Sequence, residues 1–116
     1  MTRTRPYTRR AAGAFAVATL LLFAQGASAQ DVTIDLTVKD KRFQPSEVRA
    51  PANKPILFRV KNMDPKSMEF ESKSMRVEKV IPANGEATIR VRALKPGKYE
   101  FFDDFNESNR GTLIVE

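Results

Sequence analysis

The sequence predicts an all-β domain of the Greek-key β-sandwich type, and three observations carry that expectation. Apolar and polar residues alternate with period two through several short stretches. Turn signals rich in Pro, Gly and Asn recur about every 8–12 residues. No stretch outside the N-terminal segment sustains a 3.6-residue period, so no helix is expected there.

The N-terminal segment reads differently from the rest. Arg3, Arg5, Arg9 and Arg10 precede the small and apolar run Ala11–Ala24, and Ala27-Ser28-Ala29 offers an A-x-A cleavage site. A charged start, a short apolar middle and a small-residue exit are the parts of an export signal. The run is shorter than the roughly 20 residues needed to span a bilayer. Residues 1–29 are therefore expected to be a cleaved signal peptide and residues 30–116 one exported domain.

Within that domain the elements follow in order. Val32, Ile34, Leu36 and Val38 alternate with polar residues, as in a half-buried strand. Phe43 to Val48, with Pro45 inside it, reads as one edge or bent strand. Pro51–Pro55 is a turn and Ile56–Lys61 the next strand. Asn62–Ser67 is a loop, Met68–Ser72 a short extended segment with Phe70 inward, and Met75–Ile81 a further strand. Asn84-Gly85 is a tight turn, because both residue types accept positive φ. Ala87, Ile89 and Val91 alternate again, Lys95–Lys98 suits a type II turn, and Tyr99–Phe102 is a strand. Asp103–Arg110 reads as a polar loop, and Gly111–Glu116 closes the chain.

Composition excludes much chemistry. The 116 residues contain no Cys, no His and no Trp. That removes cysteine nucleophiles, Ser-His-Asp triads, ordinary zinc sites and blue-copper centres, which need a thiolate and two imidazoles. The net charge of +6 is mostly the signal; beyond residue 29 sixteen basic residues face fourteen acidic ones. So small an excess argues against a nucleic-acid partner.

Three features could carry chemistry. In Glu69-Phe70-Glu71, an extended chain puts both carboxylates on one face, where their repulsion favours a cation between them. Asp103-Asp104-Phe105-Asn106-Glu107 gathers oxygen donors suited to a hard cation. Met63, Met68 and Met75 bracket the Glu pair, and thioethers suit Cu(I); Met63 and Met68, in a polar loop, are the better candidates. Each has a plain structural alternative: a solvated strand face, an acidic connection, and core packing.

Phe43-x-Pro45-x-x-Val48-x-x-Pro51-Ala52, Leu94-x-Pro96-Gly97-x-Tyr99-x-Phe101 and Gly111–Val115 resemble the corresponding parts of cupredoxin-like domains. Glu69-Phe70-Glu71-Ser72 with Arg76–Ile81 resembles, more specifically, the cysteine-free periplasmic cupredoxin-like protein of bacterial ferrous-iron uptake systems. The cupredoxin domain of the EfeO family is a more distant likeness. The resemblance implies a binder of iron and/or copper ions that works beside an iron permease and a second periplasmic metal-binding protein, and that could assist Fe(II) oxidation before uptake. It carries Glu69 and Glu71 onto an acidic copper-site pair, and puts Asp103 near a Cys ligand and Asn106 where an imidazole is usual. The expected metal set is thus Glu69, Glu71 and Asp103, with Asp104, Asn106, Glu107, Met63 and Met68 as secondary donors. A homodimer is compatible with this reading. The competing reading is a metal-free exported sandwich that docks a periplasmic or membrane partner through the Phe43–Val48 edge or the basic row Arg90, Arg92, Lys95 and Lys98.

Overall fold

Alternation translates directly into the first strand, β1 (Val32–Lys39): Ile34, Leu36 and Val38 are buried, while Thr33, Asp35 and Lys39 face solvent. The computed structural model describes residues 31–116, so the expected signal peptide lies outside the described residues. Eight further strands follow: β2 (Arg42–Gln44), β3 (Glu47–Ala50), β4 (Ile56–Asn62), β5 (Met68–Ser72), β6 (Val77–Ile81), β7 (Glu86–Val91), β8 (Gly97–Asp103) and β9 (Asn106–Val115). One sheet has the order β2-β1-β4-β7 and the other β3-β9-β8-β5-β6. β1 runs parallel to β4, and β3 to β9; the other pairs are antiparallel. The all-β sandwich expected from the sequence is the observed architecture. No helix occurs among the described residues.

Four expectations need correction. Phe43–Val48 is not one strand, because the chain changes sheets at Pro45-Ser46: β2 pairs with β1, and β3 with β9. Proline offers no N–H to a ladder, so it sits between two edge strands. Side chain and backbone from β9 close the gap. Asn109 Oδ1 accepts the Phe43 N–H at 3.0 Å, and the Ser46 carbonyl accepts the Thr112 N–H at 2.8 Å.

Asp103–Arg110 is not a loop either. Only Asp104-Phe105 turns, and β9 starts at Asn106 after a register shift between Phe102 and Asp103. The turn at Asn84-Gly85 is present, but only Asn84 takes the left-handed conformation (φ 55°). Gly85 is required for clearance instead, since a Cβ there would meet Pro82 Cγ at 2.7 Å. Finally, Gly97 is nearly extended (φ 159°) and opens β8 rather than completing a type II turn.

Phe43, Phe58, Phe70 and Phe101 form the centre of the core. Phe43 meets Phe101 edge-on at 4.9 Å between centroids, and Phe70 stacks on Phe101 at 5.4 Å. Burying each such ring stabilises the fold by about 1.5–3 kcal/mol. Phe101 lies against the backbone of Gly111, where a Cβ would come within 2.2 Å of the ring. The core therefore clamps β5, β8 and β9 together, and those three strands and their connection position the acidic residues.

Candidate metal centre

Phe70 fixes the geometry of its neighbours. Its ring is fully buried, so strand alternation turns Glu69 and Glu71 to the outer face of the second sheet. β8 lies alongside, with Phe70 opposite Asp103 and Glu71 opposite Phe102. Strand alternation past the buried Asp103 and the turn that follows bring Asp104 over the same face. Its N–H donates to the Glu69 carbonyl at 2.9 Å. One carboxylate oxygen from each of Glu69, Glu71 and Asp104 then lies within 4.8 Å of the others. On the far side, β6 places Glu78 directly opposite Glu71.

The electrostatics follow from this crowding. Partial burial and the charges of Asp104 and Glu78 push the Glu69 carboxyl above the usual carboxylate range, with a smaller push from Asp103. Glu71 is also raised: first by partial burial, then by the charge of Asp104 and a hydrogen bond to it, then by Glu78 and Glu69. Three negatively charged oxygens at this spacing repel unless protons or a cation lie between them. The donor set is all oxygen, so it suits hard or borderline cations, with water completing the coordination.

The other expected donors lie elsewhere. Asp103 is only 6% exposed, and its Oδ1 accepts the N–H groups of Glu69 at 2.9 Å and Phe105 at 3.0 Å. It holds the frame of the trio and stands outside it. Met68 is 2% exposed and faces the core with Phe70, away from Glu69 and Glu71. Met63 is 44% exposed on the loop after β4, its N–H donating to the Val38 carbonyl. Asn106 accepts a hydrogen bond from the Ser108 hydroxyl at 3.0 Å. Together with Asp103 and Met68 it lines a cavity of about 470 Å³. Glu107 lines a different groove with Lys73, Lys98 and Arg110. Glu78 is a further acid at this face, outside the set expected from the sequence. The signal for it was available, because a hairpin turning at Lys73–Arg76 pairs position 71 with position 78.

Residues 12–115 match a family model described as a cupredoxin-like domain. The chain is 36% identical over 83 residues to the uncharacterized protein RP394 of Rickettsia prowazekii (strain Madrid E). That match spans 71% of this chain and 66% of the relative, so the chain covers just under two thirds of that protein's length. Among solved structures, the metal-binding domain of the Cu(I)-exporting P-type ATPase CopA of Streptococcus pneumoniae D39, determined with Cu(I), is similar at TM-score 0.67. Identity is 16%, covering 72% of this chain and 84% of that one. Auracyanin A, a "blue" copper protein of Chloroflexus aurantiacus, is similar at TM-score 0.64 and 14% identity, covering 74% of this chain and 99% of that one. At such identities these likenesses establish a common fold. The thiolate and imidazole donors of a blue-copper centre have no counterpart in a chain without Cys or His.

Proposed function

The chain belongs to the cupredoxin-like domain family, and we propose that it is a metal-binding component of a bacterial ferrous-iron transport system, with iron as its cargo. The observation that carries this reading is the convergence of Glu69, Glu71 and Asp104 on one face of the second sheet. An all-oxygen site favours iron over Cu(I), which prefers sulfur. Cu(II) is a weaker candidate, since it would have to bind without imidazole.

Export to the periplasm, an iron permease and a second periplasmic metal-binding protein as partners, and self-association into a homodimer belong to the same proposal; the resemblance of Glu69–Ser72 and Arg76–Ile81 supports them. Carboxylates stabilise Fe(III) more than Fe(II), so the trio would bias bound iron toward oxidation. The electron lost by each iron would pass to an acceptor outside the domain, such as dioxygen.

Anaerobic calorimetric titration of the purified protein with Fe(II), beside Mn(II) and Cu(II), tests the reading. Fe(II) and Mn(II) are expected to bind, and Glu71→Gln and Asp104→Asn are each expected to weaken them by at least about tenfold. Absence of binding below about 1 mM, or unchanged affinity in both variants, would overturn it. The metal-free docking reading would then gain. It is favoured by Phe105, 57% exposed at the tip of the β8–β9 turn.

A further inference from the structure

We propose that the groove formed where the chain changes sheets binds a small multivalent oxyanion, a polycarboxylate or a phosphate. The groove, about 870 Å³, runs between β2 and β9 and is lined by Lys41, Arg42, Gln44, Ser46, Ser108 and Asn109, among others. No Asp or Glu lines it. Lys41 and Arg42 form no ion pair among the described residues. Arg110 flanks the groove, but its guanidinium lies 5.0 Å above the Phe102 ring and 3.8 Å from a Glu100 carboxylate oxygen, so it is already partnered.

Asn109 supplies an independent observation. It is 4% exposed, and its Oδ1 accepts the Phe43 N–H, which fixes the orientation of the amide. Nδ2 is then left as the buried side-chain polar atom with no partner among the described residues. Buried donors in folded proteins are nearly always satisfied. Here the orphan is shut off from solvent just behind the wall of a groove that otherwise offers cations, hydroxyls and an amide, so a ligand reaches it once the Asn109 side chain turns toward that space. Such a wall matches a ligand made of acceptors and carrying negative charge. Charge-assisted hydrogen bonds from Lys and Arg to carboxylate or phosphate oxygens are the strong interactions available to it. A neutral ligand would leave the two unpaired cations unmatched. The groove shares no lining residue with Glu69, Glu71 or Asp104, so this site and the metal trio stand or fall separately.

The test is NMR titration of the ¹⁵N-labelled protein with citrate and, separately, inorganic pyrophosphate, at ionic strength held constant with NaCl. The expected result is a saturable shift of the Asn109 side-chain amide together with the backbone amides of Lys41, Arg42 and Ser108. The tighter of the two probes identifies the oxyanion class. Asn109→Asp keeps an acceptor for the Phe43 N–H but replaces the orphan donor with negative charge, and should weaken binding by at least about tenfold. The double variant Lys41→Gln/Arg42→Gln changes only exposed side chains and should do the same, which keeps the test valid if Asn109→Asp unfolds. Lys98→Gln, away from the groove, should leave affinity unchanged. No saturable shift up to about 10 mM of either probe would overturn the proposal. So would equal weakening by Lys98→Gln, since the effect would then be diffuse surface charge, with Asn109 satisfied by water alone.

Discussion

The carboxylates of Asp64 and Asp103 are taken up by the backbone, whereas those of Glu69, Glu71 and Asp104 face one another. Asp64 accepts the N–H of Asp40 at 2.7 Å and that of Lys41 at 2.8 Å, and so holds two successive left-handed residues (φ 53° and 58°). Asp103 accepts the N–H groups of Glu69 and Phe105 and so ties β5 to the β8–β9 turn. One residue further on, Asp104 faces two glutamates and contributes to raising both. The difference teaches that the role of an acid here is set by the donors within reach. A carboxylate supplied with backbone N–H groups is a structural latch. A carboxylate supplied only with other carboxylates is left with a repulsion that a proton or a cation would relieve.

The contrast can be broken most forcefully at Asp103. Asp103→Ala removes the acceptor for two N–H groups and should destabilise the fold by about 2–4 kcal/mol, read as a lower urea midpoint with unchanged slope. Asp64→Ala should cost less, about 1–2 kcal/mol, because the Asp40 and Lys41 N–H groups it serves are exposed and can turn to water. Glu71→Gln should have the opposite sign: without metal its thermal midpoint should equal or slightly exceed that of the parent, because a repelling charge is gone. A clear loss of stability in Glu71→Gln would show that the trio also serves as a latch.

The smallest expected effect is in pH dependence. The folded state raises the Glu69 and Glu71 carboxyls above their unfolded values, so it binds more protons than the unfolded chain between those values. Stability therefore falls as pH rises from about 4.3, the ordinary Glu value, through the raised folded values. The repulsion is absent below that window and fully present above it. The midpoint advantage of Glu71→Gln should accordingly vanish on acidification below about pH 4, and shrink in high salt because the face is solvent-accessible. Asp35, lowered by its hydrogen bond to Arg59 at 2.7 Å, contributes with the opposite sign, so the variant comparison is the informative one.

Much of this architecture is legible in the sequence where one face of a strand is apolar. β1, β4 and β7 announce themselves by alternation, and Glu69 and Glu71 share a face for the same reason. The start of β9 is hidden, because its inward positions before Leu113 are Asn109 and Gly111, and neither supplies an apolar beat. The sheet change at Pro45 is hidden because Pro45 marks an edge without saying which sheet owns it. Asp103 and Asp104 are told apart by the pairing of β8 with β5, which sets Asp103 opposite the inward Phe70 and leaves Asp104 beside Glu69, whereas the expectation at Asp103 rests on the family resemblance, which puts it near a Cys ligand. Met63 and Met68 look equivalent in a polar stretch, yet the pairing of β5 with β6 and β8 turns Met68 into the core and leaves Met63 outside.

Paramagnetic broadening of backbone amides by substoichiometric Mn(II) tests the central distinction most directly, since it reports where a hard cation settles. The first losses are expected at Glu69–Glu71, Glu78, Val80 and Asp104, with persistence of the Asp40, Lys41 and Asp64 signals. Broadening that begins around Asp40 and Asp64, or spreads evenly over the surface, would contradict that distinction.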